Sequence, residues 1–431
     1  MESTFDVVVV GAGFAGITAA RDLTQSGHSV VVVEARDRIG GRTYTDDKIG
    51  RPVELGGAYV HWTQPNLWRE MNRHGLALST PIPVERVHYI ADGELHSCTE
   101  AEFDARAGSS MEQFVADARD HFPYPCDVTA TDIGEIDLES FADRMKALDI
   151  GPAERDMLDG ILSYTVANPD QQATTQILRW AALYFGDWRA LWESGAYWRI
   201  ADGTKALIEA IAAESTAEIR LSTAVSAIDD DSDEVVVTTR SGDVLRAKSV
   251  IVTAPINALS TIEFTPELRE PTRRLINEGH PMLNRKMWVR VKGEVEAFTA
   301  YAPLGANPIT IAMSEYRVDG DTLIVCFCPD ASAIDPADRV AVQTALRAFV
   351  PDIEVVDTDG HDWADDEFAQ GTWMMMRPGQ LSSVVADIQQ PHGRIYFAGS
   401  DIAPMFVGWI EGAIESGAVT AHTVAQRLAT S

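Results

Sequence analysis

The chain has 431 residues, 45% of them hydrophobic and 23% charged, with a formal net charge of −30. That length exceeds one ordinary hydrophobic core and predicts two or three lobes. The acidity argues against nucleic acid and anionic membrane as partners; it suits a cationic small molecule and, more generally, a solubilising surface. Cys98, Cys126, Cys326 and Cys328 form no C-x-x-C pair, so neither a zinc site nor a disulfide framework is expected. No stretch reaches the roughly 18 apolar residues that cross a membrane. With no leader-like run before the first strand and no anchor at the end, the expectation is a soluble cytoplasmic protein without metal.

Residues 7–10 are a run of valines that reads as a strand buried on both faces. Gly11, Gly13 and Gly16 follow at the G-x-G-x-x-G spacing. The first glycine allows a tight turn, the second lets the backbone approach a pyrophosphate, and the third lets a helix lie close on the sheet. A helix from Phe14 and Ala15 to about residue 25 aims its N-terminal N–H groups at that phosphate. Residues 29–33 form a second strand, and Glu34 stands at its end where a ribose would be met. An acid there argues against a 2′-phosphate and leaves NAD or FAD. Ala35, Arg36 and the Gly40-Gly41-Arg42 turn, then Gly56 and Gly57 of a VELGG segment, make a second phosphate-facing loop that an NAD site does not need.

Ala58, Tyr59 and His61 leave that loop. Residues 86–97 read as a hairpin turning at Asp92-Gly93. Residues 111–200 show apolar spacing near 3.6 and predict an inserted helical lobe, aromatic-rich over 184–198. A helix over 202–214 leads into a β-meander over 219–255, in which the acidic run 229–234 is a solvated turn. Strands are expected at 286–293, 309–317 and 322–328, with Cys326 and Cys328 alternating onto one buried face. A helix at 336–350, a strand at 394–401 and a closing helix at 409–429 complete the chain. The predicted class is α/β (α+β overall). A Rossmann-like dinucleotide domain is assembled from 1–80, 203–270 and 376–431. A substrate domain of mixed sheet and helical lobe is inserted at 81–202 and 271–375.

The segments EARDRIGGR (34–42), VELGG (53–57) and RIYFAGSDIAPMFVGWIEGAIESG (394–417) resemble the flavin-containing monoamine oxidase family, in the pattern of bacterial enzymes of the 6-hydroxynicotine oxidase type. The likeness runs from the first strand to the last helix. It implies an FAD-binding domain of the amine oxidase/glutathione reductase type, and FAD as cofactor. Val225 stands at the adenine, Pro255 under the flavin, and Gly399, Ser400 and Asp401 along the ribityl and phosphate region. Gly408, Trp409 and Ile410 open the closing helix toward the flavin O2 and N1 edge. APMFVG occupies the place where some relatives carry a flavin-linked cysteine, which implies noncovalent binding.

The same resemblance makes Lys286 the lysine that holds a water on flavin N5 and assists reaction with oxygen. It makes Trp373 and Trp409 the two upright rings between which the amine lies, with Trp409 where most members have tyrosine. Electron-rich ring faces attract a cationic amine. His61, Tyr164 and Trp198 are further pocket candidates; Tyr164 stands where the 6-hydroxynicotine enzymes place an asparagine. The implied reaction takes a primary or secondary amine (aryl-alkyl, cyclic, N-methyl or nicotine-related) to an imine by hydride transfer. Dioxygen then returns the flavin to its oxidised state and yields hydrogen peroxide, and the imine hydrolyses. The alternatives are an amine dehydrogenase with another acceptor, an L-amino-acid oxidase clamping its carboxylate with Arg199 or Arg377, and an inactive FAD-binding interaction module. A homodimer is left open.

Overall fold

A computed structural model describes residues 3–430. Ser3–Val10 lies at the centre of an eight-stranded sheet, parallel to Val30–Val33 on one side and to Val244–Val252 on the other. Glu218–Arg220 adds beyond Val30–Val33, and Ile395–Phe397 pairs in parallel with Val244–Val252. Val225–Asp229 and Val235–Thr239 extend the sheet as an antiparallel meander that ends on Glu263–Thr265. Because side chains alternate along a strand, Val7 and Val9 pack with Ile17, Leu23, Ile414 and Val424 of the helices Phe14–Gln25 and Ile410–Thr430. Val8 and Val10 face the opposite layer. The unbroken valine run is thus the signature of a strand covered on both sides.

The second sheet has seven strands, in the order Val355–Gly360, Arg285–Val291, Asp321–Cys328, Ile311–Val318, Phe298–Tyr301, Arg86–Ala91 and Glu94–Cys98. All neighbours are antiparallel except Phe298–Tyr301 with Arg86–Ala91. One face packs on Val342 and Leu346 of the helix Arg339–Arg347 and carries Cys326 and Cys328, both fully buried. The other face joins the helical segment and the first sheet in one continuous core. All four cysteines are free. No helix among the described residues is long and apolar enough to cross a membrane.

Several elements differ from the sequence expectation. The run 219–228 is two strands, because the chain turns at Ser222 (φ 50°) so that the Ser222 and Thr223 N–H groups donate to the carbonyls of Arg36 and Glu34. The helical segment begins at Glu100, where Thr99 and Glu102 form a capping box ahead of the clear apolar spacing. Strands Phe298–Tyr301 and Val355–Gly360 and helices Glu270–Glu278 and Gln380–Ile388 were not expected, although Thr272, Leu275 and Ile276 of the first helix do share one buried face. In the acidic turn, Asp230 is not merely solvated: it accepts from the Arg394 Nε at 2.6 Å and ties the meander to the start of Ile395–Phe397.

Candidate active site

A deep cavity runs from the first sheet to the second. Its outer part is built by backbone. Gly11 (φ 105°) turns the chain off the first strand, and a Cβ there would lie 2.5 Å from Thr253 Oγ1. Gly13 is the N-cap of the helix Phe14–Gln25 and no side chain caps that end, so its first N–H groups stand open. Gly41, from the second glycine loop, approaches so closely that its Cβ would sit 3.2 Å from the Gly13 Cα. Two glycine backbones thus face each other at an uncapped helix N-terminus, which is the donor set and shape of a pyrophosphate cradle. Gly16 lies outside the cavity lining. A Cβ on it would collide with the Gly11 carbonyl oxygen, so its part is close packing of helix on turn. Glu34 is buried and accepts from the N–H of Ala12 at 2.6 Å and of Arg36 at 2.9 Å, which holds its carboxylate at the cavity edge.

Ala35, Arg36, Arg42, Gly56, Gly57, Ala58, Tyr59, Val225 and Pro255 continue the lining, as do Gly399, Ser400, Asp401, Gly408 and Ile410. The arginines are held by protein partners: Arg36 by Asp366 at 2.5 Å, Arg42 by Asp401 at 2.6 Å and by the Thr372 carbonyl. Burial alone would raise the Asp401 carboxyl; Arg42, His280 and the Ile256 N–H outweigh it and hold it low. His280, fully enclosed beside this pair, is pushed down to about 4 by burial. These surroundings fit FAD, with glycine loops for the phosphates, a buried acid for the ribose and the first turn of the helix Ile410–Thr430 also in the lining.

The inner end of the cavity is aromatic. Tyr164, Trp180, Phe327, Trp373 and Trp409 line it, with Lys286 and Gly195 among them. Tyr164 stands 6.4 Å from Trp373 and 6.2 Å from Phe327, and Trp180 meets Trp409 edge-on at 5.7 Å. Asn284 braces this end: its Nδ2 donates to the Tyr164 carbonyl at 3.0 Å and its Oδ1 accepts from Thr372, the neighbour of Trp373. The Gly408 backbone (φ 83°) comes so near Trp373 that a Cβ would lie 3.3 Å from the tryptophan Cβ, which brings the Trp373 and Trp409 segments together. Gly195 leaves room opposite: a Cβ there would meet Trp409 at 3.5 Å and the Tyr164 hydroxyl at 3.7 Å.

Lys286 is buried on Arg285–Val291 and donates to the Gly56 carbonyl at 2.9 Å. Burial pushes its ammonium down to about 7, with Arg199 adding to the effect and Glu54 and Glu315 opposing it. Its register partner across the sheet is Phe327, which therefore shares its face. Phe327 and Trp180 went unnoticed in the sequence. The first could have been found from the strand 322–328, where cysteines on one face leave Phe327 on the other. The second had no signal, since it lies on a helix, Thr175–Leu183, buried on every side.

Four candidate side chains lie elsewhere. His61 and Trp198 are outside the lining, in a cluster where His61 stacks on Trp62 (3.9 Å) and bonds Thr63, while Trp198 Nε1 donates to Glu193 at 3.0 Å. Arg199 pairs with the buried Glu315. Arg377, the fourth residue considered for binding, donates to Gln171 and to the carbonyls of Glu278 and Gly279, and it too stands off the cavity. Glu70, His74 and Glu214 also draw together, but Arg21 inserts on Glu70 at 2.7 Å and Arg73 on Glu214 at 2.7 Å, an ion-pair network.

Comparison with known proteins adds a family. The model of flavin containing amine oxidoreductases matches residues 14–425. A pseudooxynicotine dehydrogenase of a Pseudomonas species is 35% identical, covering 98% of this chain and 87% of its own. The (S)-6-hydroxynicotine oxidase of Paenarthrobacter nicotinovorans is 32% identical, covering 97% and 99%. Among solved structures, putrescine oxidase superposes with a TM-score of 0.85 at 22% identity over 99% of this chain and 100% of its own. Cyclohexylamine oxidase from Brevibacterium oxydans superposes with a TM-score of 0.82 at 21% identity over 99% of both.

Proposed function

The chain belongs to the flavin containing amine oxidoreductases, FAD-dependent enzymes that act on amines, and from that premise we propose that it oxidises a monoamine bearing an aromatic or cyclic group, of the nicotine type, with dioxygen as acceptor. The observation that carries this reading is the composition of the inner cavity. Five aromatic side chains and one lysine line it. Among the described residues the acids in the lining are Glu34 and Asp401, both at the cofactor motifs. A diamine would need a second anionic partner for its far end, and an amino acid would need an arginine to clamp its carboxylate. Neither Arg199 nor Arg377 lines the cavity. The nicotine-related names of the curated relatives point the same way.

FAD, when bound, supplies the acceptor for the electron pair that leaves the amine C–H bond. The protein supplies the rest. Ring faces of Trp373 and Trp409 would draw the ammonium in, fix the amine in one orientation and exclude water. Lys286, poised at about 7 beside the Gly56 carbonyl, can hold or release a proton at Nζ within the working pH range. No cysteine among the described residues lines the cavity, which supports noncovalent FAD, and free thiols suit a cytoplasmic location.

Anaerobic mixing of the FAD-loaded protein with a panel of amines tests the proposal. Cyclic and N-methyl amines of the nicotine type should bleach the flavin, and readmitted air should restore it with peroxide formed. Bleaching by putrescine or an L-amino acid alone, or by nothing, would overturn the substrate reading. Bleaching followed by slow return in air would overturn the choice of acceptor.

A further inference from the structure

Behind the cavity wall lies a buried charge pair that the reaction described above does not use. Glu315 and Arg199 are 1% and 4% exposed and bonded to each other. Glu315 is the extra residue of a β-bulge: Ser314 pairs with Ile324 and Tyr316 with Leu323. A bulge re-aims one side chain out of the regular alternation, and here it sends a carboxylate into the interior. One of its oxygens, Oε2, has no hydrogen-bond partner. A buried ion pair left part-satisfied costs stability relative to an apolar replacement, so its retention calls for a purpose.

The pair reaches the reaction site through one ring. The Arg199 guanidinium lies 4.7 Å from the centre of the Tyr59 ring, and Lys286 Nζ lies 5.6 Å from the same centre. Tyr59 lines the cavity. On the other side of the lysine, Trp288 has its ring 5.8 Å from Nζ and stacks on Tyr316, over which Arg51 sits at 3.6 Å. The remaining charge facing Lys286 is Glu54, whose carboxylate is taken up by Thr45 Oγ1 and by the Thr204 N–H and hydroxyl. Burial pushes the Glu315 carboxyl up to about 7 against the cations that face it, Arg199, Lys286 and Arg51, so it carries its charge above that pH. Three cations, Lys286, Arg199 and Arg51, thus stand around two glutamates, of which Glu315 alone has an oxygen without a hydrogen-bond partner.

We propose that the Arg199–Glu315 pair is a positioning element for Lys286, with Glu315 holding the lysine ammonium charged beside the cofactor against the repulsion of Arg199. The proposal rests on the reading of Lys286 as a flavin neighbour. Without Glu315, the lysine would face a buried guanidinium with only the fully engaged Glu54 as counter-charge, and its proton affinity must fall.

The chain has six lysines, Lys48, Lys146, Lys205, Lys248, Lys286 and Lys292, so NMR of holoenzyme labelled with 13C at the lysine ε-carbon resolves each titration. The Lys286 signal is assigned by its loss in Lys286→Met. Glu315→Gln should lower the Lys286 midpoint by about one pH unit or more, the scale of a nearby buried counter-charge. In the double variant Arg199→Gln/Glu315→Gln the midpoint should return toward the original. Coupling is mutual, so Lys286→Met must raise the Glu315 midpoint, read from its δ-carbon, by the same amount. That second measurement does not depend on the fold of Glu315→Gln. Midpoints that stay within about half a unit in both measurements would overturn the proposal and leave the pair a purely structural one. The underlying reading is tested apart from it: the Lys286 signal of the wild-type holoenzyme should move when dithionite reduces the flavin, and a stationary signal would place the lysine away from the cofactor whatever Glu315 does.

Discussion

Gly13 and Gly16 are three residues apart and the same change, to alanine, should act on them in opposite ways. Gly13 has an extended backbone (φ −76°, ψ −179°), and the nearest heavy atom to an added Cβ is the Gly41 Cα at 3.9 Å, an ordinary contact. The empty protein has room and no strain, so Gly13→Ala should leave its stability unchanged or raise it by up to about 1 kcal/mol through the unfolded chain. The bound cofactor has no such room, because the methyl group would occupy the gap between the two glycine loops. Losing two hydrogen bonds to a charged phosphate at about 1.5–3 kcal/mol each weakens FAD binding by roughly 10²–10⁴-fold at 1.4 kcal/mol per decade. At Gly16 the methyl would strike the Gly11 carbonyl and lie 3.0 Å from Thr253 Oγ1. Gly16→Ala should therefore destabilise the protein itself by roughly 1–3 kcal/mol, with and without FAD. Apoprotein melting and quenching of FAD fluorescence on titration separate the two quantities. A Gly13→Ala protein that binds FAD within about threefold of the original, or that melts as early as Gly16→Ala, would refute the assignment of the cradle.

Trp373→Ala should lower kcat/KM for the amine by roughly 10–100-fold, the loss of one aromatic wall, with apoprotein melting little changed; equal kinetics would remove Trp373 from the cage. Gly195→Ala should be tolerated and Gly195→Leu should raise KM for bulky amines far more than for small ones, because the added chain grows toward Trp409 and Tyr164; a uniform KM across the series would contradict that placement. Lys286→Met should slow flavin reoxidation in air by about tenfold or more while anaerobic bleaching keeps its rate, and stopped-flow measurement of both half-reactions decides it. His280 is held at about 4 against its ordinary 6.5. Its unfolded form binds the proton first, so its contribution is complete above pH 6.5 and is lost as pH falls through 4, about 3 kcal/mol in all. Urea midpoints at pH 8 and pH 5 should fall further apart for the original than for His280→Gln, and parallel midpoints would exclude His280 as the source.

What could be read from the sequence divides along a physical line. The cofactor end was legible because backbone geometry fixes it: Gly11 must turn, Gly41 must approach Gly13, and Glu34 must close a strand. Such requirements leave marks at fixed short spacings. The aromatic end was legible only in part because Tyr164, Trp180, Phe327, Trp373 and Trp409 come from five separate segments and meet only through packing. An aromatic residue inside a helix or strand looks the same whether it faces a cavity or a core, which is how Trp198 drew notice and Trp180 did not. The bulge at Glu315 was illegible for a related reason: a single unpaired residue shifts which face a carboxylate occupies and leaves no trace in the apolar pattern.

The two helices whose first turns line the cavity, Phe14–Gln25 and Ile410–Thr430, touch at Gly417, where a Cβ would collide with the Ala15 carbonyl oxygen. Nearly the whole chain separates them. On a ribosome adding roughly 5–20 residues per second, the glycine turn emerges tens of seconds before the helix that completes its surroundings. The nascent N-terminal unit must wait with an apolar helix face exposed, and closure is a long-range event of the kind that folds slowly. Capture of FAD is then expected only after the closing helix has been made. The yield of loaded protein should depend on FAD supply after synthesis ends, and a chain truncated before residue 410 should accumulate as a chaperone client that holds no flavin.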